Sequence, residues 1–225
     1  MRLIHNQIET QICFDCETSY TLVVESPIVM NRLVSDLKLQ IRGEDGGFVL
    51  SENNLKDIDI VFACELIIDP FVCADDNKKF ATKLLQYLKM VANQEDFFEQ
   101  TAQIKSALFQ YALIIMQDTD ESLIYKDEID TGTLLKVFSF MLDFSDPSPI
   151  ENLVTYVKVA NKYLAKSLFV FVNVKSFFTN EELNYLVNTV HGMKCNVLFL
   201  ESNFHKPFDN KEKYSIIDID QCEIF

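Results

Sequence analysis

The stretch LFVFVNVKSFFTNEELNYLVNTVHGMKCNVLFLE (168–201) decides the fold class. Its two ends, 168–174 and 196–201, are short runs of Val, Leu and Phe without polar alternation, which is typical of strands buried on both faces of a parallel sheet. Between these runs, Thr179 is placed to cap a helix, and Glu182 is placed to complete a capping box. The stretch therefore predicts a strand–helix–strand unit.

Two earlier runs have the same character. YTLVVE (20–25) and DIVFACELII (59–68) are continuous and apolar, so each predicts a further buried strand. The segment 26–39 between them predicts a helix, with Ser26 as its N-cap and Pro27 in its first turn.

The middle of the chain has helical spacing instead. Apolar residues recur about every 3.6 positions in 77–92, 95–117 and 131–142, which predicts three amphipathic helices. Two prolines in SDPSP (145–149) then interrupt the pattern before one more amphipathic segment, 150–166.

These elements predict an α/β protein in which one mostly parallel sheet is assembled from both ends of the chain. The head domain comprises residues 1–69 and 150–225. A helical leg, residues 70–149, is inserted between the two parts of the head.

The chain is strongly acidic. Its 225 residues include 34 Asp and Glu against 20 Lys and Arg, which gives a formal net charge of −14. This charge opposes non-specific attraction to nucleic acids and to anionic membranes, so any nucleic-acid binding needs a local basic patch, assembly or bound cations.

Composition also indicates a compartment. The six cysteines are scattered, as expected of reduced thiols, and the N-terminal residues lack the apolar core of a signal peptide. The longest nearly apolar run, 107–116, is about half the roughly 20 residues that a membrane helix needs. We expect a protein of a reducing cytoplasm without a membrane partner.

Common catalytic motifs are missing. The turn after the first strand, VESPIVMN (24–31), has neither the glycines nor the lysine that a phosphate loop requires, which argues against nucleotide hydrolysis. The pair Cys13 and Cys16 has metal-ligand spacing but no second pair, so structural thiols are favoured over zinc. We predict no catalytic residue.

The stretch QDTDESLIYKDEID (117–130) contains six carboxylates. Asp118, Asp120 and Ser122 match the first three ligand positions of a helix–loop–helix calcium site, but Leu123 replaces the turn glycine and Ile129 replaces the final acid. A calcium site and a solvated acidic loop therefore remain equally open. A two-metal nuclease is less favoured, since such enzymes usually take carboxylates from separate elements of a rigid core.

The basic residues show one local pattern. Lys158, Lys162 and Lys166 recur every four residues opposite the apolar stripe of segment 150–166, and Lys79 and Lys83 form a smaller set on segment 77–92. Such a face is most often solvated surface. Repeated around a symmetric ring, it could instead follow the phosphates of a DNA duplex.

Several of these motifs resemble a known family in their order and spacing. They match the accessory spacer-acquisition protein of type II-A CRISPR systems over nearly the whole chain. The matching segments are TLVVE (21–25), DIVFACELI (59–67), DEI (127–129), FVN (171–173), FTNEE (178–182) and VLFLE (197–201).

The resemblance implies a head like a degenerate P-loop NTPase, a helical leg and a ring-shaped homotetramer that threads the ends of double-stranded DNA. It implies no catalysis, calcium as a ligand, and action beside the CRISPR integrase proteins and the effector nuclease of the same locus. Asp127 and Glu128 match the family's acidic positions best, and Asp118, Asp120 and Glu121 are substitutes by proximity.

The resemblance assigns no lysine to DNA, because the family's DNA contacts are not a linear motif. Two alternatives stay open: a metal-dependent nuclease that uses the acidic cluster 118–130, and a protein-interaction scaffold that does not bind DNA.

Overall fold

The chain folds into two compact units. The computed structural model describes residues 1–53, 56–71, 74–126 and 128–224. An α/β unit comprises residues 1–74 and 144–225, and a helical unit comprises residues 75–143. The leg expected from the sequence, 70–149, extends five residues before and six residues beyond this helical unit, and the expected head is shorter by the same residues.

The regular elements of the described residues are as follows. The strands are β1 (Arg2–His5), β2 (Ile8–Cys13), β3 (Tyr20–Val24), β4 (Phe48–Ser51), β5 (Asp57–Ile58), β6 (Cys64–Ile67), β7 (Leu168–Val172), β8 (Asn196–Glu201), β9 (Lys213–Ile217) and β10 (Glu223–Ile224). The helices are α1 (Pro27–Ile41), α2 (Ile60–Ala63), α3 (Ala81–Ala92), α4 (Glu95–Gln117), α5 (Thr131–Lys136), α6 (Pro149–Leu164) and α7 (Asn180–Gly192). Short 3-10 helices cover Ala74–Lys79 and Val174–Ser176.

A six-stranded sheet organises the α/β unit. Its order is β10-β9-β3-β8-β7-β6, and the five strands from β9 to β6 are parallel, while β10 is antiparallel. Every residue of β3, β7 and β8 is buried, as expected of strands covered on both faces. The mostly parallel α/β sheet predicted from the sequence is therefore present.

The two faces of this sheet have different covers. Leu22, Val170 and Leu198 pack with Leu33 and Leu37 of α1 in one hydrophobic core. The alternate strand residues point to the opposite face. There, the hydroxyl of Tyr156 on α6 donates a hydrogen bond to Glu65 of β6, and α7 packs against β8.

A second sheet was missing from the sequence prediction, and the expectation of a single sheet is therefore wrong. It is antiparallel with the order β2-β1-β4-β5. Its burial pattern in β2 alternates strictly, which is the pattern of a strand with one solvated face. Such strands lack the continuous apolar runs by which we recognised the other strands.

The prediction of one strand over 59–68 is half wrong. Asp59 caps the short helix α2 by accepting a hydrogen bond from the backbone N–H of Val61, and β6 begins only at Cys64. The apolar run crosses both elements, because α2 also packs into the core through Ile60 and Ala63. The continuous apolar run therefore could not show where the backbone changes from helix to strand.

Three helices form the helical unit. α4 has the bounds that the sequence predicts, but α3 begins at Ala81, after a 3-10 turn, and α5 ends at Lys136 rather than at 142. The hydroxyl of Thr131 joins the helices, since it accepts a hydrogen bond from Lys105 Nζ at 3.0 Å and donates to Asn93 Oδ1 at 3.2 Å.

Candidate functional site

An exposed apolar surface of the helical unit lies on α4. This helix has 23 residues, and none of them is buried. Five large apolar residues recur at intervals of seven, four, three and four positions with 40% to 63% of their surface exposed; we call them the α4 stripe: Phe97, Ile104, Leu108, Tyr111 and Ile115. A row of neighbouring exposed apolar side chains makes the α4 stripe a candidate interaction surface.

A different side of α4 contacts its own unit. Thr101, Lys105 and Phe109 are only half-exposed. The ring of Phe109 lies 6.2 Å from that of Tyr125, and Lys105 donates to Thr131. The α4 stripe is therefore not the side that holds the helix in place.

The described carboxylates of the acidic stretch 117–130 do not form one cluster. Asp118 is the C-cap residue of α4, and Asp120, Glu121 and Glu128 are exposed. Asp127 lies outside the described residues.

The last carboxylate of this stretch has a structural role. Asp130 is the N-cap of α5, accepts from the backbone N–H of Thr133 at 3.1 Å and pairs with Lys89. The Lys89 hydrogen bond lowers the pKa of this carboxyl below its ordinary value.

These carboxylates do not fit a preformed calcium site. In the described ranges, no three His, Cys, Asp or Glu side chains lie close enough together to hold a metal ion. Calcium prefers six to eight oxygen ligands, so the single chain without Asp127 does not supply a cage.

Two of the candidate DNA-binding lysines share an exposed face of α6. Lys158 and Lys162 are one helical turn apart and both exposed. The ammonium of Lys162 lies 5.1 Å from the ring of Tyr163, which is a cation–π contact. Both side chains can reach an anionic partner.

The assignment of Lys166 to this face is wrong. Ala165 adopts a left-handed conformation with a φ of 56° and ends α6, so Lys166 leaves the helical repeat. Its side chain is buried, and its ammonium donates to the carbonyls of Val61 and Cys64 at 2.7 Å each. Lys166 therefore stabilises the end of α2 instead of presenting a charge to solvent.

The smaller set belongs to the helical unit. Lys79 is the last residue of the 3-10 helix and Lys83 lies in the first turn of α3; both side chains are exposed. Lys79 lies 5.4 Å from the ring of Phe80. The two lysines are four residues apart, as predicted, but only Lys83 lies on an α-helix.

A buried polar cluster at the carboxyl end of β8, beside β3, was not found from the sequence. Lys175 forms an ion pair with Glu212, which also accepts from the hydroxyl of Thr21. Glu201 accepts from the backbone N–H of Lys175 at 3.2 Å through one oxygen. Its Oε2 is buried, has no hydrogen-bond partner in the described part of the chain and lies 3.7 Å from Nε2 of His205.

Burial raises the pKa of Glu201 to about 7, although the Lys175 charge and backbone N–H groups oppose this effect. Burial also lowers the pKa of His205. In the sequence, this cluster appears only as three widely separated charged residues, Lys175, Glu201 and Glu212, and no local motif connects them.

The model of the family described as CRISPR-associated protein (Cas_Csn2) matches residues 40–221, well over half of the chain. This chain belongs to the Csn2 family of CRISPR-associated proteins. Its role is therefore associated with CRISPR adaptation, in an accessory family that is not known as an enzyme.

A solved structure supports the fold of this Csn2-family chain. The crystal structure of Stu0660 of Streptococcus thermophilus superimposes with a TM-score of 0.62 at 12% sequence identity, covering 97% of this chain and 74% of that one. At such low identity the likeness concerns the fold alone. No curated protein sequence matches.

The described part of the chain contains no helix that is both long enough and apolar enough to cross a membrane.

Proposed function

We propose that this Csn2-family chain is a non-enzymatic protein that binds the ends of double-stranded DNA as a ring-shaped homotetramer during spacer acquisition in the bacterial cytoplasm. The integrase proteins and the effector nuclease of its CRISPR locus are its protein partners. The α/β unit is a degenerate relative of P-loop NTPase heads, in which Glu25, Ser26 and Pro27 take the place of a phosphate loop.

The observation that carries the proposal is the unpartnered α4 stripe. Its intervals of three, four and seven residues are those of helices that pack side by side around a shared seam. Between residues 100 and 117 the only charged residue is Lys105, whose ammonium is bonded within the unit. A second copy brings the same uncharged surface over residues 104–115, so two copies match there without charge repulsion.

Assembly also explains how a chain with a large negative net charge could bind DNA. A protein with a net charge of −14 repels DNA unless its basic residues are concentrated where the duplex passes. Four copies repeat the exposed pair Lys158 and Lys162 four times, and the pair Lys79 and Lys83 likewise. Each lysine that contacts a phosphate releases counterions, which favours binding at low salt.

Calcium is part of the proposal as a ligand of the assembled protein. The exposed Asp118, Asp120, Glu121 and Glu128, together with Asp127, are the candidate ligands. Because the described carboxylates of one chain are not grouped, we expect calcium to depend on rearrangement of this loop or on a second copy.

The test compares linear and covalently closed circular duplexes of equal length and sequence. A ring that is entered at DNA ends binds the linear duplex more tightly, and its affinity falls steeply as salt rises. The charge-reversal variant Lys158→Glu/Lys162→Glu should lose most of this affinity. A matched control is Lys38→Glu/Arg42→Glu, which reverses two exposed charges four residues apart, in the last turn of α1 and at its C-cap, on the other face of the sheet.

The outcomes separate the alternatives. Equal binding to linear and circular DNA contradicts end binding, and equal losses in both double variants contradict the assignment of Lys158 and Lys162 to the DNA contact. Absence of DNA binding with an intact tetramer favours the protein-interaction scaffold. Cleavage of linear DNA in magnesium or manganese that disappears in Asp118→Asn/Asp120→Asn supports the metal-dependent nuclease instead.

A further inference from the structure

A crevice opens at the carboxyl ends of β3, β8 and β7. These strands are adjacent and parallel, so their ends meet at one edge of the sheet. β3 continues into α1 on one face, whereas β7 leads to α7 on the other. In α/β sheets, chains that diverge in this way leave the crevice in which ligands bind. A cavity of about 360 Å³ lies there, which is within the range of small-molecule sites.

The cavity has an apolar floor. Val24, Met30, Val34 and Val172 line it, and of these only Val34 is more than slightly exposed. Aliphatic side chains and a thioether sulfur pack well against the faces of an aromatic ring. The floor therefore favours a flat apolar surface over a fully hydrated ligand.

The polar groups of the crevice combine donors with acceptors. Asn173 adopts the left-handed conformation with a φ of 54°, and its Oδ1 accepts from the backbone N–H and the hydroxyl of Ser202 at 2.8 and 2.9 Å. Within the described residues its Nδ2 has no hydrogen-bond partner and remains a donor. The carboxylate of Glu25 and the amide of Asn31, which also line the cavity, add an acceptor and a second donor.

The same lining disfavours phosphate. Glu25 places a negative charge directly after β3, and Pro27 at the start of α1 has no backbone N–H to offer. Among the described residues, no lysine or arginine lines this cavity. A phosphate group would therefore meet repulsion instead of the donors that it requires.

We propose that this crevice is a binding site for an unphosphorylated nucleobase. A base offers two apolar faces for the floor and adjacent donors and acceptors on its edge for Asn173 and Glu25. The base comes either from a free nucleoside or from an unpaired nucleotide at a DNA end. The first source does not depend on the proposed DNA-end binding, whereas the second rests on it.

The test for free bases uses saturation-transfer NMR and titration calorimetry on the full chain. Adenosine, guanosine, cytidine and thymidine are compared with their 5′-monophosphates. We expect at least one nucleoside to bind and its monophosphate to bind more weakly.

Asn173→Asp should weaken binding about tenfold, because it keeps the acceptor for Ser202 and removes the Nδ2 donors. Asn188→Asp, an exposed asparagine of α7, is the matched control and should leave the affinity unchanged. Val34→Trp fills the cavity from α1 and should abolish binding, which provides a second variant independent of the Asn173 backbone.

The test for DNA uses 2-aminopurine as the unpaired nucleotide of a one-base overhang. Capture of this base changes its fluorescence in the wild type but not in Asn173→Asp, while both bind blunt duplex equally. If the nucleosides bind and the overhang gives no change, the free nucleoside is the source and the proposed site stands. The proposal is overturned if no nucleoside binds at millimolar concentration, if monophosphates bind more tightly, or if Asn173→Asp and Val34→Trp bind as the wild type does.

Discussion

At the scale of single residues, Lys166 shows how one backbone dihedral angle changes a function assignment. Helical spacing groups it with Lys158 and Lys162, but the left-handed Ala165 ends the helix one residue earlier. The ammonium then becomes a buried donor to two carbonyls near α2, with Glu65 at 4.0 Å. Residue spacing could not reveal this, since alanine rarely adopts the left-handed conformation.

Lys166→Met should therefore lower the free energy of unfolding by about 2–3 kcal/mol, because it leaves buried carbonyls without their donor. Lys158→Met, which removes an exposed charge, should change it by less than about 0.5 kcal/mol. Urea unfolding followed by circular dichroism measures both. Equal midpoints for the two variants would show that the Lys166 hydrogen bonds contribute nothing.

The raised pKa of Glu201 predicts that the stability of the fold depends on pH. Its pKa is raised to about 7 in the folded chain, above the ordinary value near 4.3 in the unfolded chain. The folded state therefore binds the extra proton between these values, and Glu201 lowers stability progressively as pH rises through this window. Glu201→Gln should be more stable than the wild type at pH 8 by about 2–3 kcal/mol and similar to it at pH 4.

Chemical denaturation at several pH values measures this difference. Glu212→Gln is the matched control in the same cluster, and it should destabilise the chain at pH 8 because Glu212 is paired with Lys175 and Thr21. A Glu201→Gln variant whose advantage does not depend on pH would contradict the assignment.

At the scale of secondary structure, the local sequence predicted α4 and the cap of α7 closely, but not the limits of α3 and α5. Thr179 and Glu182 form the expected capping box of α7, and α4 has the expected bounds. These features depend on residues three or four positions apart, which a sequence displays directly. The second sheet was missed because its strands lack continuous apolar runs, and α2 was missed because the apolar run 59–68 crosses both α2 and β6.

The apolar periodicity of α4 also has a limit as a predictor. It indicates an amphipathic helix, but it does not say which apolar side packs within the unit and which remains exposed. The structure distinguishes the half-exposed side of Phe109 from the α4 stripe. The sequence thus predicted the helix, but only the folded structure shows which of its sides is exposed.

Leu108→Lys should therefore convert the assembled protein to a smaller species without unfolding the protomer, because it places a charge within the seam that two stripes would form. Gln110→Lys introduces the same charge on the far side of the same helix and should keep the wild-type mass. Light scattering coupled to gel filtration measures the mass, and circular dichroism checks the fold. A Leu108→Lys protein of wild-type mass would exclude the stripe as an interface.

At the scale of the whole molecule, the sequence predicted some features and not others. The family could be recognised from the order of short motifs along the chain. The lining of the carboxyl-end crevice could not be predicted from the sequence. Its residues Glu25, Asn173 and Ser202 come together only because their strands are adjacent in the sheet.

Calcium should stabilise the assembled protein by mass action if it binds the native state alone. At a concentration about 100 times its Kd, the gain is about 2.7 kcal/mol, which raises Tm by about 5–10 °C for a chain of this length. Asp118→Asn/Asp120→Asn should lose this gain, whereas Glu44→Gln/Asp45→Asn, a pair of exposed acids on the α/β unit, should keep it. Differential scanning calorimetry with calcium or a chelator measures it, and an unchanged Tm and mass after chelation would remove calcium from the proposal.

The central position of β3 has a consequence for biosynthesis. Its hydrogen-bonding neighbours on both sides, β8 and β9, are translated more than 170 residues after it. At roughly 5–20 residues per second, the ribosome releases these partners many seconds later. The helical unit, in contrast, consists of consecutive residues and can fold as soon as it emerges. Nascent chains should therefore display the α4 stripe before their sheet exists, so that copies growing on one polysome can meet through it first.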